Sequence, residues 1–190
     1  MEILSMAADY CPVLLPVVHG LNFPSTVTDA IFCEKLERLM NKQSTDLPGW
    51  LKMAWNFDKD RDNYVNNVRK LVYLLNAMNE DRAIDIYANL LRAYQLDLLE
   101  CDEFFRLSWI LTQVYYMDLN LIMQLYSNKI DNEDKRLHSL EPYGLLTSTS
   151  HFSFSAGAAI LYTVSDLGVK MISCGLDFDN HEKYKSNESV

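Results

Sequence analysis

The stretch Tyr64–Met78, YVNNVRKLVYLLNAM, decides the fold class. Its apolar residues Tyr64, Val68, Leu71, Leu75 and Met78 recur at steps of 4, 3, 4 and 3, which places them on one face of a helix. A strand would instead alternate with a period of two. Working upstream, Ser25-Thr26-Val27-Thr28-Asp29 offers caps for a helix reaching about Asn41, with Ile31, Phe32, Leu36, Leu39 and Met40 as its apolar stripe. Between the two, Pro48 suits the first turn of a short helix carrying Trp50, Met53, Ala54 and Phe57.

Working downstream, Asn79 is placed to cap a helix bearing Ile84, Tyr87, Leu90, Leu91 and Tyr94. Asp102 is placed to cap another, with Phe105, Trp109, Leu111 or Thr112, and Tyr116 facing inward. Short connections make such helices antiparallel neighbours in a bundle. The pattern changes near residue 117. Asp118–Tyr126 and Asn132–Glu141 read as helices, the second ended by Pro142, whose ring and missing N–H cannot continue it. Two β-like runs follow, Leu145–Thr149 and Ala159–Val164, around a loop from Ser150 to Ala158. Ser165 then caps a last helix, Asp166–Cys174, which Gly175 ends. Helix–turn–helix–strand–loop–strand–helix is the order of a winged helix.

The expected architecture is therefore mainly α, a helical bundle followed by a winged-helix-like β-hairpin module. Its segments are an apolar lead at 1–24, the bundle at 25–116, the winged-helix-like module at 117–178 and a disordered tail at 179–190. The lead carries Glu2 and Asp9 and is broken by Pro12 and Pro16, so it makes a poor signal peptide or membrane span.

Composition narrows the function. Among 190 residues, 17 Lys+Arg oppose 26 Asp+Glu for a net charge of −9, which disfavours nucleic-acid and anionic-membrane binding. The 6 Gly and 5 Pro favour helices over Gly-rich nucleotide folds. Cys11, Cys33, Cys101 and Cys174 include no close pair, so reduced thiols, no zinc site and a cytoplasmic setting are expected. Asp58-Lys59-Asp60-Arg61-Asp62 begins like a calcium loop, but Asn63 replaces the turn glycine and Arg69 the closing glutamate. His19, His138, His151 and His181 form no metal motif, and no phosphate loop or nucleophile elbow occurs. No catalytic, cofactor-binding or metal-ligating residue is expected.

Two clusters suit recognition. Phe104, Phe105 and Arg106 sit among acids in DEFFRL, and Phe152 and Phe154 form an apolar loop tip that suits a protein partner. For a duplex-reading winged helix the candidates are Lys135, Arg136 and His138, yet Asp131–Glu141 holds four acids against two bases.

Two further stretches carry a resemblance. Asn89-Leu90-Leu91-Arg92-Ala93, Asp102–Leu107 and Asp118-Leu119, with the closing Leu140, Gly144-Leu145-Leu146 and Tyr162–Gly168, resemble a group of helical bacterial proteins and chains like the abortive-infection alpha domain. The resemblance spans roughly Asp60–Gly175 and implies fold rather than chemistry, with no site residues to carry over. It implies a bacterial, phage or mobile-element setting. The expected function is a non-enzymatic protein-binding protein acting in phage–host conflict, as a defence component or its inhibitor, with a homodimer compatible. An acidic mimic of nucleic acid remains compatible with the charge. The alternative is a winged-helix transcriptional regulator.

Overall fold

The computed structural model describes residues 28–43, 61–153, 157–181 and 184. The lead at 1–24, the helix expected after Pro48, Asp58–Asp60, Phe154 and the end of the tail lie outside the described residues. The chain is mainly helical with one small antiparallel sheet. It divides into two compact units, Met1–Leu96 and Asp97–Val190. The division falls well before the change of pattern near residue 117. It falls at Asp97, whose φ of 56° lies in the left-handed region and turns the chain out of a helix.

In the first unit, α1 (Thr28–Gln43), α2 (Arg61–Ala77) and α3 (Asp81–Gln95) pack together. From α1, Phe32, Leu36 and Leu39 are buried; from α2, Leu71, Val72, Leu74 and Leu75, with Met78 just after it. Helix α1 packs against both α2 and α3, and on α3 Ala83, Ile84, Ile86, Tyr87, Ala88, Leu90, Leu91 and Ala93 are buried. Ile31, read as part of the α1 stripe, is instead 41% exposed. Glu80, not Asn79, occupies the cap position of α3, and it makes no side-chain cap bond. Arg38 of α1 forks onto α3, donating from Nε and Nη2 to the Asp85 carboxylate at 3.0 Å each and from Nη1 to Asp81 at 2.8 Å. Cys33 is disulfide-bonded, which corrects the expectation of a reduced thiol at that position.

The second unit begins with α4 (Cys101–Gln113) and α5 (Tyr116–Tyr126). A 3-10 helix over Lys135–Tyr143 stands where an α-helix ending before Pro142 was expected. Pro142 lies inside it. The fixed proline φ fits 3-10 winding, and in so short a run the missing N–H removes one bond only. Asp134 caps its start by accepting from the Arg136 N–H, and Gly144 at φ 74° ends it. Strands β1 (Leu146–Ser153) and β2 (Gly157–Val164) pair antiparallel from Leu146↔Val164 to Ser153↔Gly157, so the strands take up most of the expected loop. Ser165 caps α6 (Asp166–Lys170) as expected, accepting from the Gly168 N–H at 3.0 Å. The helix then widens into a π-helical turn, Met171–Leu176, closed by Asp177 N–H donating to the Ile172 carbonyl at 2.8 Å. Gly175 lies inside this turn rather than ending the helix. Phe178–Asn180 form a further 3-10 turn, and the Tyr184 ring lies 5.6 Å from that of Tyr126. Phe104, Leu107, Ile110, Leu119, Ile122, Leu137, Leu140, Leu145, Met171 and Ile172 are all fully buried in this unit.

Candidate protein-contact site

Helix α4 carries two opposed faces. Its start is fixed by a capping box: the Glu100 side chain accepts from the backbone of Glu103, and the Glu103 carboxylate accepts from the Glu100 N–H at 3.0 Å. Glu100 therefore takes the capping role expected of Asp102, which is exposed one residue inside the helix. Phe104, Leu107, Ile110 and Leu111 point into the core. Burial pushes the Glu103 carboxyl up, but the hydrogen bonds from Lys170 and the Glu100 backbone outweigh it and hold the group below the usual glutamate value. The Lys170 ammonium lies 2.5 Å away, which ties α6 to the first turn of α4.

The opposite face presents Asp102, Arg106, Trp109 and Gln113 to solvent. Trp109, expected to face inward, is 47% exposed. The reason is register. Phe104, Leu107 and Leu111 already fill the inner stripe, which puts Trp109 on the outer side. Its ring rests beside that of Tyr143, centroids 6.1 Å apart at 52°. The Arg106 guanidinium lies over Gly144, where an added Cβ would sit 2.7 Å from its Nη2. Glycine at this left-handed position thus leaves room for the guanidinium beside Tyr143. Among the described residues of this unit Arg106 makes no ion pair, whereas Arg136 is bound to Asp134. The outer face of α4 thus carries an exposed arginine and an exposed tryptophan three residues apart, residue types that are enriched at interface hot spots.

The other candidates distribute unevenly. Phe104 is fully buried and leaves the contact set, because its ring completes the core. Phe105 is half-buried, 5.2 Å from Phe104 edge to face. Phe152 is in β1, its Cα opposite that of Ala158, far along the hairpin, while Phe154 lies outside the described residues. Arg106 is the member of the first cluster that is exposed, on the same face as Trp109.

The duplex-reading candidates sit on the 3-10 helix. Lys135 is exposed. Arg136 is folded back on Asp134, Nη2 at 2.5 Å, and this side-chain bond with the backbone N–H of Arg136 lowers the Asp134 carboxyl to about 2. His138 Nδ1 lies 3.1 Å from the Tyr162 hydroxyl and 3.5 Å from Glu141. Glu141 also accepts from the Ser148 hydroxyl. The arginine and the histidine are thus engaged within the unit.

One recess escaped the sequence reading. A cavity of about 270 Å³ is lined by Asp97, Lys170, Ser173, Cys174, His181 and Tyr184, among others. Tyr184 donates to Asp177 at 2.7 Å, and burial followed by that hydrogen bond pushes its hydroxyl up to about 12. His181 Nδ1 donates to the Phe178 carbonyl at 2.9 Å, its ring stacked on Phe178. The spacing of these residues carried no motif; the π-helical turn is what gathers them. Among the described residues no group of three His, Cys, Asp or Glu side chains is placed to hold a metal ion. Among them, too, no helix is long and apolar enough to cross a membrane. No known protein family, curated protein or solved structure matches the chain.

Proposed function

We propose that this chain acts by binding another protein, without catalysis of its own, through the outer face of α4. The observation that carries the reading is the pair of exposed side chains Arg106 and Trp109 on the outer face of a capped helix, the indole resting beside half-buried Tyr143 and the guanidinium over Gly144. Rigid aromatic anchors lose little conformational entropy on binding, which is why Trp, Tyr and Arg dominate interface energetics. The phage–host setting implied by the resemblance belongs to the same proposal. The disulfide at Cys33 counts against the reducing cytoplasm suggested by the cysteine spacing.

The second unit is read as winged-helix-like, supported by the order α5, 3-10 helix, β1–β2 hairpin and α6. Its use as a duplex reader is the weaker reading. The segment in the recognition position is a 3-10 helix whose Arg136 is neutralised by Asp134, in a chain of net charge −9. The test is affinity capture from lysate of the source cells, split into nuclease-treated and untreated halves, with native chain and Trp109→Ala side by side. One protein captured equally from both halves and lost with W109A supports the proposal. Nucleic acid, or proteins lost after nuclease, overturns it in favour of the regulator.

A further inference from the structure

The exposed stripe of α4 is complementary to itself. Asp102, Arg106, Trp109 and Gln113 follow one another at spacings of 4, 3 and 4, a pattern that reads the same in both directions. At 100° per residue these four side chains fall within a narrow band on one helix face. All four are exposed, and Leu107 and Ser108, which lie between Arg106 and Trp109 in the chain, are fully buried on the inner side. When two such helices are laid antiparallel about a two-fold axis level with the middle of this stripe, Arg106 comes to the same height as Trp109 of the second copy. The reverse pair forms by symmetry, and Asp102 comes level with Gln113.

We infer that a second copy of this chain docks on this face, through two reciprocal Arg106–Trp109 cation–π contacts flanked by Asp102–Gln113 hydrogen bonds. The inference rests on the protein-binding reading and names its partner. Isologous interfaces have this property, each contact appearing twice. The chemistry is matched at every position. A guanidinium prefers the face of an indole over other aromatic rings. The Gln113 amide donates one hydrogen to Thr112 Oγ1 at 2.9 Å and keeps its other hydrogen for a carboxylate. Tyr143 buttresses the indole from the same chain and fixes its position. Gly144 leaves Arg106 the clearance to lie over its backbone, and among the described residues of this unit the guanidinium makes no ion pair. A parallel pairing would instead set Arg106 beside Arg106, like charge against like, so antiparallel order is selected.

Sedimentation velocity of the full chain across micromolar concentrations tests this, with four variants at the outer positions. The native chain is expected to dimerise reversibly. Trp109→Arg sets arginine against arginine and weakens dimerisation about tenfold or more. The double swap Arg106→Trp with Trp109→Arg restores the reciprocal pairs and recovers the dimer. Arg106→Lys keeps the cation but loses the flat stacking and weakens the dimer partly, whereas Arg106→Glu loses it. A native chain that is monomeric throughout, a W109R chain that dimerises like the native one, or a double swap with native helical content that stays monomeric would each overturn the inference. A monomeric chain that still captures a different protein in a Trp109-dependent way leaves the protein-binding reading standing. A monomeric chain whose capture ignores Trp109 removes both.

Discussion

Adding one methyl group at Gly168 probes how the last helix is seated on the hairpin. A Cβ there would meet the Leu145 carbonyl oxygen at 2.2 Å and Val164 Cγ1 at 2.7 Å. Ordinary van der Waals contact begins at 3.4 Å, so the methyl is roughly 1.2 Å too close to a backbone atom. A flexible side chain would rotate away, but the Leu145 carbonyl is fixed, since it also accepts from the Ser165 N–H at 3.1 Å. Overpacking of this kind costs about 1–3 kcal/mol, and a backbone neighbour places it at the upper end. For a unit of this size each kcal/mol lowers Tm by about 4–8 °C, so Gly168→Ala should lower it by about 10 °C or more. Gly144→Ala is the comparison. Its Cβ meets only the movable tip of Arg106, and the cost there is that of a left-handed φ, about 1 kcal/mol. Calorimetric melting of the full chain reads both. A Gly168→Ala protein that melts with the native chain would refute the close seating of α6 on Leu145 and Val164.

Three other predictions follow from single groups. Ser108 is fully buried and its hydroxyl has no hydrogen-bond partner among the described residues, so Ser108→Ala should raise stability by about 1 kcal/mol; a lower Tm would mean the hydroxyl is engaged. The Tyr184 hydroxyl is pushed from 10 to about 12, so its contribution to stability is complete below pH 10 and is lost as pH rises toward 12. Tyr184→Phe should remove the last step of the tyrosinate absorbance titration, and an unchanged final step would contradict the Asp177 bond. Arg38→Ala and Asp85→Ala should each destabilise the first unit, and the double variant should lose about 0.5–1 kcal/mol less than the sum of the two, the coupling of this part-buried bidentate pair. Zero coupling would show the fork contributes nothing.

The helices of the first unit were legible because their apolar residues obey one period: Leu71, Leu75 and Met78 are buried as the spacing at Tyr64–Met78 requires. Ser165 was legible for a local reason, since a serine before an acidic first turn satisfies an orphan N–H. Capping at Asp102 was misread because Glu100 and Glu103 form the box together, and glutamate is an uncommon cap. Trp109 was placed inward because hydrophobicity alone sorted it, although Phe104, Leu107 and Leu111 define a stripe that excludes it. The stripe Asp102, Arg106, Trp109, Gln113 was visible in the sequence, yet its exposure needed the packing of α4. Two backbone choices had no local signal: the 3-10 winding through Pro142 and the π-helical turn that brings Cys174 near His181 and Tyr184. Both depend on what the segment packs against rather than on its own propensities.

The central claim is that the outer face of α4 touches protein. Its most direct test is site-specific photocrosslinking in the source cells, with the photoreactive residue placed at position 109 in one chain and at position 135 in another. The account predicts a discrete protein adduct from position 109, including one of twice the chain mass, and no nucleic-acid adduct from position 135. Nucleic acid crosslinked at 135, with position 109 silent, would contradict it.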